Sequence, residues 1–286
     1  MADDSEEEER TSLEDEFKWL LEEEVHAVLQ QLSQLLKECS RRFNLPISTG
    51  LPKLIKPETF VLSSANGADL AKGVVTLVAD SICRADLSLK VHRHTSQVLK
   101  TYIREDIPWR LQQVQDAGNH LQSALDRVTS KDVDYEFSSG EEVLKLMDEI
   151  MCQLKKGRQR LLNPSIPTLH EIYTGRYMKC LNPPLPHDTL VNFHIHGNKL
   201  IMCTYYLHVV SAPKTHRPPV PSAADTKNTT LEVGPTKYEL TGQHLVTCPV
   251  PWLAEVLTFF TVALQMCQEL KNKVAVFSTY WEETSS

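Results

Sequence analysis

The sequence predicts an α+β protein, in which a four-helix antiparallel bundle carries a separate antiparallel β lobe built from two inserted groups of strands. Three observations carry that prediction. Four segments place apolar residues at alternating steps of four and three, the spacing of helix stripes that pack at a shallow angle. Two other regions alternate apolar and polar residues, as strands buried on one face do. The order is helix, strands, helix, then helix, strands, helix, with Pro108-Trp109 and Pro251-Trp252 at corresponding places. The expected division is a disordered acidic tail at 1–11, a helical lobe from 12–58, 105–165 and 250–282, and a β lobe from 59–104 and 166–249.

The first helix is expected over 12–43, opened by a capping box from Thr11 to Glu14 and ended by Asn44, Pro46 and Gly50. Its seam is Leu21, Val25, Val28, Leu32, Leu35 and Cys39, with Leu29, Leu36 and Phe43 as a second row. Second rows make the stripes wider than a two-stranded zipper needs, which favours packing within one chain. Strands follow at Thr59–Ser63, Gly73–Asp80, Ala85–Val91 and Gln97–Arg104. A second helix is expected from Asp106 as cap, with Pro108 in the first turn, where a missing N–H costs nothing. Its seam is Leu111, Val114, Gly118, Leu121, Leu125 and Val128. Ser138, with Glu141 three residues on, caps a third helix whose seam is Val143, Met147, Ile150, Leu154, Gly157 and Leu161. Gly118 and Gly157 forgo helix propensity on their seams, which predicts close approach of a neighbouring helix or ring.

Prolines between 163 and 188 mark irregular chain, with a short helical turn near Leu169–Tyr173. Val191, Phe193 and Ile195 then point inward, Gly197-Asn198 supplies a hairpin turn, and Ile201 to Val209 return. The proline-rich stretch 211–228 reads as a mobile loop, followed by strands near 229–233, 236–241 and 243–248. The last helix starts at Pro251-Trp252 with the seam Val256, Phe260, Ala263, Cys267, Leu270, Val274, Phe277 and Trp281. Residues 252–267 hold one charge, Glu255, and sixteen residues are too short for the ~30 Å hydrocarbon core, so a buried bundle helix is expected.

Composition removes several function classes. Glycine numbers 10 in 286 residues, and no dinucleotide fingerprint, phosphate-binding loop or GxSxG elbow occurs. The net charge of −7 is concentrated in residues 1–10, where six carboxylates face Arg10 alone. The nearly neutral body argues against nucleic acid. An acidic start and seven cysteines without a CxxC pair predict an untargeted protein in a reducing compartment, with Asn228 left unmodified.

No catalytic or cofactor-binding residue is predicted. His92 with His94, and His194 with His196, alternate on strand faces and could share a metal, for which His194 and His196 are the candidates. The simpler reading makes them solvent-facing polar positions opposite Val191, Phe193 and Ile195, so no metal is expected. Lys155, Lys156, Arg158 and Arg160 complement the negative end of a helix dipole. Trp109, Trp252 and Trp281 read as core fillers. Two alternatives to a scaffold compete: a metal- or small-molecule-binding protein using the strand histidines, and a homodimeric leucine-zipper adaptor.

Phe17–Glu38, Arg104–His120, Glu142–Leu154 and Pro251–Trp281 together resemble the Rogdi family of leucine-zipper-like proteins, polar faces included. The resemblance covers residues 13 to 281 but neither the acidic tail nor the loop 211–228. It implies a non-enzymatic, two-lobed accessory subunit of a RAVE/rabconnectin-3 assembly. Such a subunit binds large WD-repeat rabconnectin-3 subunits and helps the V1 sector of the V-ATPase rejoin Vo, promoting vesicle acidification. It implies a cytoplasmic protein, monomeric in isolation and peripheral on vesicle membranes through its partners. The family is also linked with synaptic vesicles and the nuclear envelope. It carries no cofactor and offers no catalytic residues to transfer.

Overall fold

A computed structural model describes residues 2–43, 56–64, 70–92, 96–132, 134–210 and 230–284. The expected loop 211–228, Asn228, His94 and the stop at 44–50 lie outside the described residues, and the His92 and Trp281 side chains are not described. The chain runs α1 (Ala2–Trp19), a π turn (Leu20–Glu24) and α2 (Val25–Ser40). Strands β1 (Glu58–Leu62), β2 (Ala71–Val78), β3 (Ser81–His92), β4 (Ser96–Ile103) and β5 (Trp109–Arg110) come next. Helices α3 (Gln112–Thr129), α4 (Gly140–Leu162) and α5 (Leu169–Thr174), a 3₁₀ turn and β6 (Leu181–Asn182) follow. Strands β7 (Thr189–His196), β8 (Lys199–Val210), β9 (Thr230–Val233) and β10 (Thr236–Pro249) lead into α6 (Pro251–Thr284). The fold is α+β with antiparallel sheets. It divides into two compact units, one of Met1–Leu54, Gln115–Leu161 and Ala254–Ser286, the other of Ile55–Val114 and Leu162–Leu253.

In the helical unit the acidic tail is not disordered but helical from Ala2. Arg10 pairs with Glu14 at 3.7 Å one turn on. The buried stripe of the next segment is Val25, Leu29, Leu32, Leu36, Cys39 and Phe43, while Leu21, Val28 and Leu35 are only half-buried. The expected seam therefore holds at Val25, Leu32 and Cys39 and is joined by its whole second row, a partial rotation of the stripe. The π turn explains the shift. It holds one residue more than an α turn, so Leu20 and Val25, five apart, are both buried.

In α3, Leu121, Leu125 and Val128 are buried, with Ala117 and Ala124 beside them; Leu111 and Val114 are buried at its entry. In α4, Val143, Met147, Ile150, Leu154 and Leu161 are buried. In α6, Val256, Phe260, Ala263, Cys267, Leu270 and Val274 are buried. A Cβ on Gly118 would sit 3.2 Å from Phe43, and one on Gly157 would sit 3.0 Å from Phe260. Both glycines thus admit a ring. Arg160 meets Asp116 at 3.4 Å and Arg127 pairs with Glu149, so α3 and α4 run antiparallel. Lys271 with Asp148 and Phe260 against Gly157 set α6 antiparallel to α4, and Lys273 with Glu24 and Arg42 with Glu255 at 2.6 Å set it antiparallel to the first helical segment.

The α4 cap lies one residue later than expected: the Glu142 N–H donates to the Ser139 hydroxyl at 3.3 Å. The Tyr135 hydroxyl and the Ser138 N–H both donate to the Glu142 carboxylate, which holds that carboxyl down at about 2. Over Pro251–Phe277, α6 is long and apolar enough to cross a membrane by length and composition, a longer stretch than the sixteen residues counted from sequence.

In the strand unit, one sheet has the order β1-β2-β3-β4-β6, with β5 on β3, and the other has the order β7-β8-β10-β9. A bridge between Ser63 and Thr247 joins them. Trp109 does not open a helix as expected; it pairs in register with Ile82, and the helix starts at Gln112. Trp109 is 2% exposed because Tyr177 stacks on it at 4.9 Å and Phe193 meets it edge-on at 5.1 Å. The two strands expected over 236–248 form one strand, irregular between Leu240 and Gly242. Gly197 takes φ +63° in the hairpin turn, a conformation that glycine adopts without strain.

Candidate functional site

Strand alternation sorts the six-stranded sheet into two faces. Leu62, Gly73, Leu87 and Thr101 form one row across β1 to β4, and all four are buried. The adjacent row, Val61, Val74, Asp86 and Tyr102, lies on the opposite face in the same register. On that outer face Val61 is 66% exposed, Val74 42% and Tyr102 44%. The next outer row is Lys72, Ser88 and Lys100. Between these two ridges runs a groove of about 860 Å³ that ends at Pro183.

The groove is charged as well as apolar. Lys72, Lys100 and Asp86 line it, and among the described residues Arg84 and Lys90 share the same outer face, with Arg84 meeting Asp86 at 3.7 Å. The Asn182 amide donates to the Tyr102 hydroxyl, which fixes the ring, and the Thr101 hydroxyl donates to the Pro183 carbonyl at 2.8 Å. None of these residues stands out in the sequence as a site. Period-two alternation points them outward, but only cross-strand register brings Val61, Val74 and Tyr102 into one row.

The candidate histidines part company. His194 is 5% exposed, not solvent-facing, and His196 is exposed. Strand β7 is buried from Thr189 to Ile195 because both of its faces are covered. Phe193 faces Trp109. His194 shares its face with Leu190 and, across the register, with Ile201 and Cys203, and that face is packed by Leu169 and Ile172 of α5. Burial, and then the nearby His196, holds the His194 imidazole below the usual histidine range. His194 Nδ1, Asn192 Nδ2 and the Tyr205 hydroxyl make no well-formed hydrogen bond. Among the described residues no three His, Cys, Asp or Glu side chains come together as a metal-ligand set.

Five of the seven thiols are buried as well. Burial pushes Cys39 and Cys267 up to about 12 and Cys248 up to about 11. A thiol so disfavoured as thiolate is a packing group rather than a nucleophile. Along the free margin of β7, the Gln113 side-chain amide donates to the Ile195 carbonyl at 2.9 Å, and its oxygen accepts from the Ile195 N–H at 2.8 Å.

Comparison with known proteins places the chain. The family model described as Rogdi leucine zipper containing protein matches residues 16–234. The chain is 46% identical over 275 residues to the protein rogdi homolog of Danio rerio, covering 96% of each chain. To the human protein rogdi homolog it is 46% identical over 275 residues, covering 96% of this chain and 95% of the relative. To protein rogdi of Drosophila melanogaster it is 37% identical over 284 residues, covering 99% and 95%. A match of that length, with the zipper-like apolar repeats inside it, makes the chain a member of the Rogdi family.

Proposed function

We propose that this protein is a non-enzymatic accessory subunit that works by holding other proteins, in an assembly of the RAVE/rabconnectin-3 type. In that role it binds large WD-repeat subunits and the V1 sector and promotes the joining of V1 with Vo, hence vesicle acidification. Membership of the Rogdi family over nearly the whole chain is the observation that carries this reading. The chemistry of the buried groups is in keeping with it, since burial disfavours the charged forms of Cys39, Cys267 and His194. The scaffold we propose comprises an antiparallel four-helix bundle of α2, α3, α4 and α6, with α1 continuing the first rod, and a β lobe of two sheets. It acts in the cytoplasm and reaches vesicle membranes through its partners.

The test is affinity purification of the tagged full chain from cells at moderate salt. Co-elution of WD-repeat subunits with V1, together with slowed vesicle reacidification on depletion, is the expected result. Recovery of neither partner, with acidification unchanged, overturns the proposal.

A further inference from the structure

We infer that the outer groove of the six-stranded sheet is the docking site for an extended segment of a partner protein in which apolar and acidic side chains alternate. The inference rests on the adaptor reading and names the surface that would serve it.

Three observations converge on this face. Val61 and Val74 are direct cross-strand partners and are 66% and 42% exposed, an apolar pair that folding leaves uncovered. Contiguous exposed apolar surface of this kind marks a binding site more often than chance placement does. The face is also basic in a chain whose net charge is −7: among the described residues Lys90 and Lys100 stand there beside the Arg84–Asp86 pair. An acidic ligand therefore meets complementary potential, which favours encounter and fixes register. Finally, the geometry suits an extended chain. The groove volume of about 860 Å³ holds a short peptide, and successive side chains of an extended segment fall alternately toward and away from the ridges.

The aromatic content decides between a peptide and a nucleic acid. A face that stacks bases presents several rings. Among the described side chains of this face Tyr102 is the one ring, set among the aliphatic Val61, Val74 and Val98. Its hydroxyl is already engaged by Asn182, so the ring is a fixed wall before any ligand arrives.

Fluorescence anisotropy with the full chain tests the inference. The probes are a labelled eight-residue peptide alternating glutamate and valine, the same peptide with lysine for glutamate, and a labelled oligouridine. The expected result is saturable binding of the glutamate peptide that weakens with salt and falls at least about tenfold in Val74→Asp and in Lys100→Glu. Both positions are exposed, so an unchanged urea melt will show that each variant folds. Equal binding of the lysine peptide, preference for oligouridine, or unaltered binding by both variants overturns the inference.

Affinity purification separates this failure from that of the adaptor reading. If Val74→Asp recovers the WD-repeat subunits as fully as the wild type, the groove is not their site and the adaptor stands. If the wild type recovers none while the glutamate peptide still binds, the adaptor falls and the groove stands.

Discussion

The helical unit and the strand unit use apolar surface in opposite ways. Helix stripes meet rings and small residues at van der Waals distance, as Phe260 does at Gly157 and Phe43 does at Gly118. The six-stranded sheet buries the row of Leu62 and Leu87 yet leaves Val61 and Val74, one residue along each strand, in water. Shape constrains the first region. Chemistry is free to vary on the second, so that is where a ligand-specific pattern can be written.

Substitutions can break or sharpen that contrast. Phe260→Ala empties a fully buried site and is expected to cost about 4 kcal/mol in urea unfolding. A loss below about 1 kcal/mol would show that the helices close over the gap, against the close-packed picture. Gly157→Leu forces side-chain atoms against Phe260 and the Ala117 carbonyl, the latter already 3.3 Å from a Cβ, and is expected to cost about 3 kcal/mol. Gln113→Leu strands two buried backbone groups of Ile195 and is expected to cost about 2 kcal/mol, with faster amide exchange at Ile195 as the local reading. Val61→Ser on the open face is expected to change stability by no more than about 0.5 kcal/mol.

A pH dependence probes the strand unit separately. The folded His194 titrates below its unfolded value of about 6.5, so the unfolded chain binds the proton first. Stability is full above that value and falls as the pH drops through it toward the folded value. The urea midpoint should decline between pH 7 and 5, with a shallower slope in His194→Asn. Equal slopes would assign the acid sensitivity to other groups.

Much of this contrast was legible in the residues, and the failures have physical causes. The 3,4 spacing located α3, α4 and α6, and the two seam glycines pointed to tight approach. The first helix was half legible: Val25, Leu32 and Cys39 are buried as expected, but Leu29, Leu36 and Phe43 join them in place of Leu21, Val28 and Leu35, and nothing local announces the π turn that sets this phase. Strand β7 misled because His194 and Asn192 are polar residues on a face that α5 covers, and alternation cannot register cover from another element. Trp109 followed a proline in a pattern suited to a helix start, but pairing with Ile82 prevailed. The groove was invisible for a related reason. Its members lie on four strands between 61 and 102, and register is a tertiary quantity.

The amide of Gln113 has a consequence for how the molecule behaves in a crowd. A carboxamide presents the same donor and acceptor as a peptide unit, so at Ile195 it stands in for the next strand. Lateral growth of that sheet, by a neighbouring copy or by a misfolded chain, finds the place taken. At Ile195 the margin of β7 is thereby capped against strand addition without a charge, a proline or a bulge, and at the expense of one side chain.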